Sequence, residues 1–428
     1  MEQKPLSILI SGAGVAGTSL ALMLARHPSF KLKPNITLIE RSPVPRTTGQ
    51  AVDIRGPGVD TIRFLGLEPE IKARHTSETG LAFMNGRGDM VARFDATGDA
   101  KNQSATSEYE ILRGDLTALL LNGVHEVKEK GADVNIVYGE SIASLEDSDN
   151  GVEVYFENGK LEQQKFDVVV AADGIASKTR SLIFGKEDHR DHVKPSGMYM
   201  GFFTVPRIAG DDELWKWCNV PNGMAMHLRP HGNKQTMGVY LTVVNPTKDR
   251  NPELEAVVHA DVDSQKAYLR QRFHNIGWQS ERFLDGLDKA DDFYMTHWCE
   301  VRTPQWTRGR CVILGDSAFA TMGIGTSLAM TGAFAIAGEL SKINTSDEVP
   351  TALTSYETLL RPLVAKHEMT LPGFPQLANP QTALGVRIFH FVLGFLAAIK
   401  TLLPITWLLG GEKKDDWKLP DYGWKSEA

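Results

Sequence analysis

The stretch LSILISGAGVAGTSLALMLARH, close to the start of the chain, permits few folds. A short apolar run leads into Gly12-x-Gly14-x-x-Gly17 and then into an apolar helical pattern. Gly12 allows a tight turn, Gly14 lets the backbone approach a pyrophosphate, and Gly17 lets the helix pack closely on the strand. Ala16 lies inside the same turn and is grouped with these phosphate-facing residues. The helix start adds amide donors and about half a positive charge. A second strand pattern, NITLIE, ends in Glu40. A carboxylate there accepts hydrogen bonds from ribose hydroxyls and repels a 2′-phosphate, which favours FAD or NAD over NADP as the bound nucleotide.

Two further strand ends carry special loops. KFDVVVAADGIASKTRSLIFG reads as a buried parallel strand closed by Asp173-Gly174. CVILGDSAFATMGIGTSLAM repeats the pattern with Asp316, and its loop holds Gly323 and Gly325. Between them in type is EYEILRGDLTALLLN, where Arg113 and Asp115 stand at a strand-to-helix junction. Asp115 is placed to cap that helix, whereas Arg113 has no local duty and can reach a phosphate or a flavin-side group. After Glu40 comes the polar loop RSPVPRTTGQAVDIRGPG, too long for a simple NAD domain. Several strand ends with special loops suit a doubly wound sheet with its ligand along the C-terminal edge.

The remaining composition narrows the class. At 428 residues the chain is long enough for two cores, and 42% hydrophobic with 23% charged residues is ordinary for a globular protein. A net charge of −7 argues against nucleic acid as a partner. Cys218, Cys299 and Cys311 are far apart, which excludes a disulfide framework or zinc ribbon and fits a reducing, cytoplasmic setting. No metal-ligand pattern is present, and the apolar N-terminus reads as strand and turn instead of a signal peptide. GVRIFHFVLGFLAAIKTLLPITWLLGG, residues 385–411, is broken by Arg387, His390, Lys400 and Pro404. Its expected form is a helix pair packed on the body, with interfacial membrane contact as the less favoured reading.

Taken together, the glycine fingerprint with Glu40, the ADG at 172–174 and the GD at 315–316 resemble the class A FAD-dependent monooxygenases, the fold group of para-hydroxybenzoate hydroxylase. The segments RTTGQAVDI, EILRGDLTALLLN and GWQSERFLDGL are most similar to the tetracycline-inactivating monooxygenases and related polyketide and aromatic hydroxylases. The resemblance covers nearly the whole chain. It implies an α/β fold: a Rossmann-like FAD-binding domain, an inserted mixed β-sheet substrate domain, and C-terminal helices. It implies FAD as cofactor and NAD(P)H and O₂ as co-substrates. It also implies residue roles: Glu40 at the adenosine ribose, Arg41 near the adenosine, Arg46 at NADPH engagement and Asp53 near the flavin ring. Arg113 is implied in contacting FAD, Asp173 and Gly174 in both FAD and NAD(P)H binding, and Asp316 in holding the ribityl chain. The loop after Asp316 departs from the family by lacking a proline, and GMYMGFFTVP is more apolar than its tetracycline-enzyme counterpart.

In this class a C4a-hydroperoxide of the reduced flavin transfers one oxygen to an electron-rich aromatic or polyketide-type substrate. The expected division is 1–75, 104–186 and 299–375 for FAD, 76–103 and 187–298 for substrate, and 376–428 as a C-terminal helical segment. Alternating runs such as MAMHLRP and TMGVYLTVV supply the substrate sheet. His227, Arg229, Tyr199 and Tyr240 are weak candidates for orienting a phenol, since each also serves as an ordinary sheet residue with a satisfied polar tip. WKWCNVP approaches a halogenase tryptophan motif with one extra residue, and structural tryptophans are the favoured reading. Two alternatives stay open: an FAD-dependent dehydrogenase or reductase without oxygen insertion, and a membrane-associated flavoprotein.

Overall fold

A computed structural model of the chain describes residues 4–46, 48–96, 109–185, 192–367, 373–399 and 417–425. Six strands form the first sheet, in the order Thr307–Arg308, Cys311–Ile313, Val168–Ala171, Leu6–Ser11, Pro34–Glu40 and Val134–Tyr138. All are parallel except the Thr307–Arg308 edge. The central strands are continuous apolar runs because both faces of a parallel sheet are covered. Ile8, Leu9, Ile10, Val168, Val169, Val170, Val312 and Ile313 are all fully buried.

The fingerprint helix Val15–Arg26 packs against Arg113–Glu129 and Gly325–Lys342, which in turn meets Val349–His367. A small antiparallel sheet of Ile142–Ser148, Gly151–Phe156 and Gln164–Phe166 sends Val152, Val154 and Phe166 into the same core. The described C-terminal residues 417–425 are not helical. They return to this core, with the Tyr422 ring seated where a Cβ on Gly338 would stand only 2.2 Å away. The one helix described beyond residue 375 is Ala383–Ile399; the second half of the expected helix pair lies outside the described residues.

The second sheet has seven strands, ordered Tyr294–Val301, Val193–Pro206, Thr236–Val244, Met224–Pro230, Leu214–Val220, Gly80–Met84 and Met90–Asp95. Period-two alternation gives it two unlike faces. Phe203, Val205, Met226, Leu228, Val239 and Leu241 face a core shared with Leu254, Leu269, Phe273, Phe283, Leu284 and Leu287. Those six residues come from the helices Pro252–Val258, Val262–Phe273 and Ser280–Lys289. Asn251 and Asp261 cap the first two by accepting hydrogen bonds from backbone amides.

The opposite face carries a row of directly opposed rings across six strands: Tyr294, Phe202, Tyr240, His227, Trp217 and Phe83. Neighbouring ring centroids lie 5.0, 4.8, 5.9, 4.6 and 5.4 Å apart along it. Phe389 of the helix Ala383–Ile399 ends the row, 6.0 Å from Phe83.

Candidate cofactor and substrate site

The glycine loop is shaped by contacts that admit no side chain. A Cβ on Gly17 would stand 1.9 Å from the Gly12 carbonyl oxygen, and one on Gly12 would stand 2.5 Å from the Ala172 carbonyl oxygen. Gly12 also adopts φ +110°, which only glycine tolerates easily. Gly14 differs: a Cβ there meets nothing within 4 Å, so open space lies before the helix N-terminus. That space is what a pyrophosphate needs. Glu40 is tied to the loop: its carboxylate accepts from the Ala13 amide at 3.0 Å and the Ser42 amide at 2.9 Å. Each oxygen keeps a lone pair for a ribose hydroxyl. Arg41 beside it is exposed.

Asp173 is consumed locally. It accepts from the Ser177 hydroxyl, from the Thr179 amide at 3.0 Å and from the Thr179 hydroxyl at 2.9 Å. The Gly174 amide donates to the Ser317 hydroxyl at 3.0 Å, and the buried Arg180 guanidinium donates to the Ser317 carbonyl at 2.7 Å. Burial lowers Arg180 to about 10, partly offset by Asp173. Through Ser317, the ADG and GD loops are one hydrogen-bonded unit.

The GD loop also meets the first fingerprint. Gly315, at φ +65°, would place a Cβ 3.0 Å from Cβ of Ala16 and 3.2 Å from Cβ of Ala329. Two strand ends three hundred residues apart thus converge on one ligand-sized edge. Here Asp316 stands beside the N-terminus of Gly325–Lys342, its Oδ1 3.5 Å from where a Gly325 Cβ would be. Burial raises the Asp316 carboxyl above the usual carboxylate range, and Arg113 pulls it back. Among the described residues neither the Asp316 carboxylate nor the Arg113 guanidinium has a hydrogen-bond partner from another side chain. Gly323, at φ +81°, has open space around it, and the loop's Met322 is exposed.

The open step at Gly14, the spare acceptors of Glu40 and the unpartnered Asp316 and Arg113 together fit an extended dinucleotide. Asp53 lies on the strand Ala51–Asp53, which pairs with Glu110–Leu112, and it receives a 3.2 Å hydrogen bond from Arg55. Arg46 is exposed and lines a small cleft with Gln50, Arg113, Asp292 and Tyr294.

The four substrate-sheet candidates separate by strand alternation. His227, Arg229 and Tyr240 share the aromatic face, whereas Tyr199 points the other way. Tyr199 is fully buried, stacked 4.1 Å from the His297 ring, and its hydroxyl donates to Glu255 at 2.8 Å. Its odd position on Val193–Pro206 puts it in the helix-covered core, so it does not line the aromatic face. His297 follows it there, while Trp298 is on the opposite face. His227 Nδ1 accepts from the Trp215 indole at 3.2 Å, which leaves Nε2 to donate to Thr242 at 3.3 Å. Burial, with Arg229 adding to it, lowers His227 to about 3, so it is neutral.

Arg229 is the centre of a group the sequence did not announce. Its guanidinium donates to Glu78 at 2.9 Å and to Glu110, which also accepts from Thr76. Its carbon stands 4.1 Å over the Trp215 ring. Glu78 and Glu110 are almost wholly buried, and one oxygen each of Glu78 and Asp53 is buried with no partner among the described residues. Desolvation raises both glutamates above the usual range, with Arg229 opposing it. Nothing in TSETGLAF or EYEILRG marks these acids, because the pair to Arg229 closes only across the sheet. Tyr240 is left as the aromatic-face candidate without a side-chain hydrogen bond; its hydroxyl lies beside the Ala51 amide, and burial raises its pKa.

A parallel sheet whose converging glycine and aspartate loops fit an extended dinucleotide, joined to a mixed sheet with an aromatic face, defines an FAD-dependent class A monooxygenase architecture. The FAD binding domain family model matches residues 6–370. The FAD-dependent monooxygenase asL6 of Sarocladium schorii is 32% identical, over 97% of each chain. The flavin-dependent monooxygenase eupH of a Phoma species is 32% identical, over 92% of each. Among solved structures, tetracycline destructase Tet(55) superposes with a TM-score of 0.71 at 26% identity, covering 98% of this chain and 99% of its own. The chain belongs to the FAD-binding-domain family of class A flavin monooxygenases. It is an FAD-dependent monooxygenase, an oxidoreductase of the kind that draws electrons from NAD(P)H.

Proposed function

We propose that the protein hydroxylates an aromatic or polyketide-type small molecule, consuming NAD(P)H and O₂. The observation carrying this reading is the ring face of Tyr294, Phe202 and Tyr240 set beside Gln50 and Ala51 at the cofactor edge. A planar substrate laid on that face sits next to Asp53. Bound FAD supplies the electron transfer and the activation of O₂.

The chain's own residues do the rest. Glu40 and the Gly14 edge hold the adenosine and pyrophosphate end, and Asp316 and Arg113 hold the ribityl and flavin end. Arg41, Arg46, Asp173, Gly174, Gly323 and Gly325 shape the approaches. Residues 1–75, 104–186 and 299–375 serve the cofactor, and 76–103 and 187–298 serve the substrate. The ring row excludes water from the reacting centre. Tyr240, kept protonated by burial, is the group to orient a substrate phenol or enol. Arg229 is already neutralised by Glu78 and Glu110, so it acts as scaffold and not as an anion receptor.

The test is a panel of phenolic and enolic polyketide compounds, scored for stimulated NAD(P)H consumption under ¹⁸O₂. The expected product is heavier by one labelled oxygen atom. NAD(P)H consumption with a dehydrogenated, unlabelled product would favour a dehydrogenase and overturn the reading.

A further inference from the structure

The helix Ala383–Ile399 is apolar except at Arg387 and His390. One side is accounted for: Phe389 and Leu393 pack with Phe83, Phe94 and Trp217 on the edge of the seven-stranded sheet. The other side faces outward. Leu384, Ile388, Phe391, Val392 and Phe395 are 66, 55, 75, 46 and 57% exposed, and their spacing makes one continuous stripe along the helix. A stripe of this kind marks an interaction surface.

Charge selects the partner. Arg387 is the only formally charged residue of the helix, and it is exposed. From Met369 to Gly411 the sequence contains no Asp or Glu, although the chain as a whole carries −7. An apolar face with a cation and no acid matches an anionic lipid surface. The same helix of a second copy offers Arg387 no carboxylate. No helix of the described residues is long and apolar enough to cross a membrane. With one side packed on the sheet through Phe389 and Leu393, the helix offers only its outer face, as a helix lying in the interface does.

We infer that the outer face of Ala383–Ile399 docks the protein on an anionic lipid bilayer. Docking there presents the edge of the substrate sheet, through Phe389 and Phe83, to the membrane plane.

The experiment is sedimentation of the full-length holoenzyme with vesicles of phosphatidylcholine alone or mixed with phosphatidylserine, at low and high salt. Binding is expected to the mixed vesicles, falling as salt rises. The double variant Phe391→Glu/Phe395→Glu is expected to lose about tenfold or more in partitioning, with flavin absorbance and NAD(P)H oxidation unchanged. Arg387→Gln is expected to reduce the preference for the mixed vesicles while keeping the flavin. Failure to sediment with either vesicle overturns the proposal, as does equal partitioning into both. A concentration-dependent dimer that the double variant abolishes, without vesicle binding, also overturns it and assigns the face to a second copy.

Discussion

The cofactor edge and the aromatic face of the seven-stranded sheet are built by opposite means. At the cofactor edge the backbone does the work: Gly12 and Gly17 lie closer to their neighbours than a side chain allows, and Gly315 brings a third chain segment into tight contact with Ala16. Among the described residues Asp316 and Arg113 have no side-chain hydrogen bond. On the aromatic face most polar side chains are tied to one another, although Glu78 keeps one buried oxygen and Trp217 its indole N–H without a partner among the described residues. His227 is tied to Trp215 and Thr242, and Arg229 to Glu78 and Glu110. The first region is shaped by close backbone contacts that leave a step of open space at Gly14; the second is filled by side chains. An unpartnered polar group beside open backbone space is therefore the mark of the ligand here, and a buried, paired charge such as Arg229 is not.

The sharpest way to break this contrast is at Gly17. A valine there drives a side chain into the Gly12 carbonyl, so Gly17→Val is expected to abolish flavin binding and cost about 3 kcal/mol or more. Flavin content and a denaturation midpoint read both effects; a stable, fully yellow variant would break the steric half of the comparison.

Arg229→Met tests the saturated half. It strands two buried carboxyls, and about 3–5 kcal/mol of stability is expected to be lost at neutral pH. The sign with pH follows from the raised carboxyls: the folded state holds protons that the unfolded state releases above the ordinary glutamate range. The deficit of the variant should therefore grow from pH 5 to pH 8, measured as the difference in unfolding free energy from wild type. A deficit independent of pH would show that the acids do not depend on Arg229.

A smaller effect separates the two faces of the sheet. Tyr199→Phe removes a hydrogen bond to Glu255 and one from the Asn251 amide in the helix-covered core and should cost about 1–3 kcal/mol with turnover unchanged. Tyr240→Phe should leave stability nearly unchanged and lower substrate-stimulated NAD(P)H consumption about 10²-fold, within the range for a positioned proton-handling group. The reverse pattern would move the substrate to the other face.

Much of the cofactor edge was legible because it is written in local sequence. Glycines at fixed offsets, an acid at a strand end and apolar runs before each loop are all short-range signals. The convergence of Gly315 on Ala16 follows once both loops are placed at the same edge of a parallel sheet. The substrate sheet was legible only as alternation. Alternation puts His227 and Arg229 on one face of their strand, but it does not relate Tyr240 or Tyr199, each on a different strand, to that face until the register is known. Glu78 and Glu110 were invisible because their partner is 151 and 119 residues away along the chain. The tail around Tyr422 falls in the segment expected to be helical, and it instead runs as an irregular segment against Gly338.

The most direct measurement concerns Asp316. Its half-buried carboxylate stands beside the helix start of Gly325–Lys342, with no side chain among the described residues to bond it. The Asp316→Ala variant, purified alongside wild type, should show a circular dichroism spectrum and unfolding midpoint close to those of the apoprotein but a marked loss of absorbance near the flavin band. A variant as yellow as wild type would contradict the claim that the two distant strand ends hold one extended FAD.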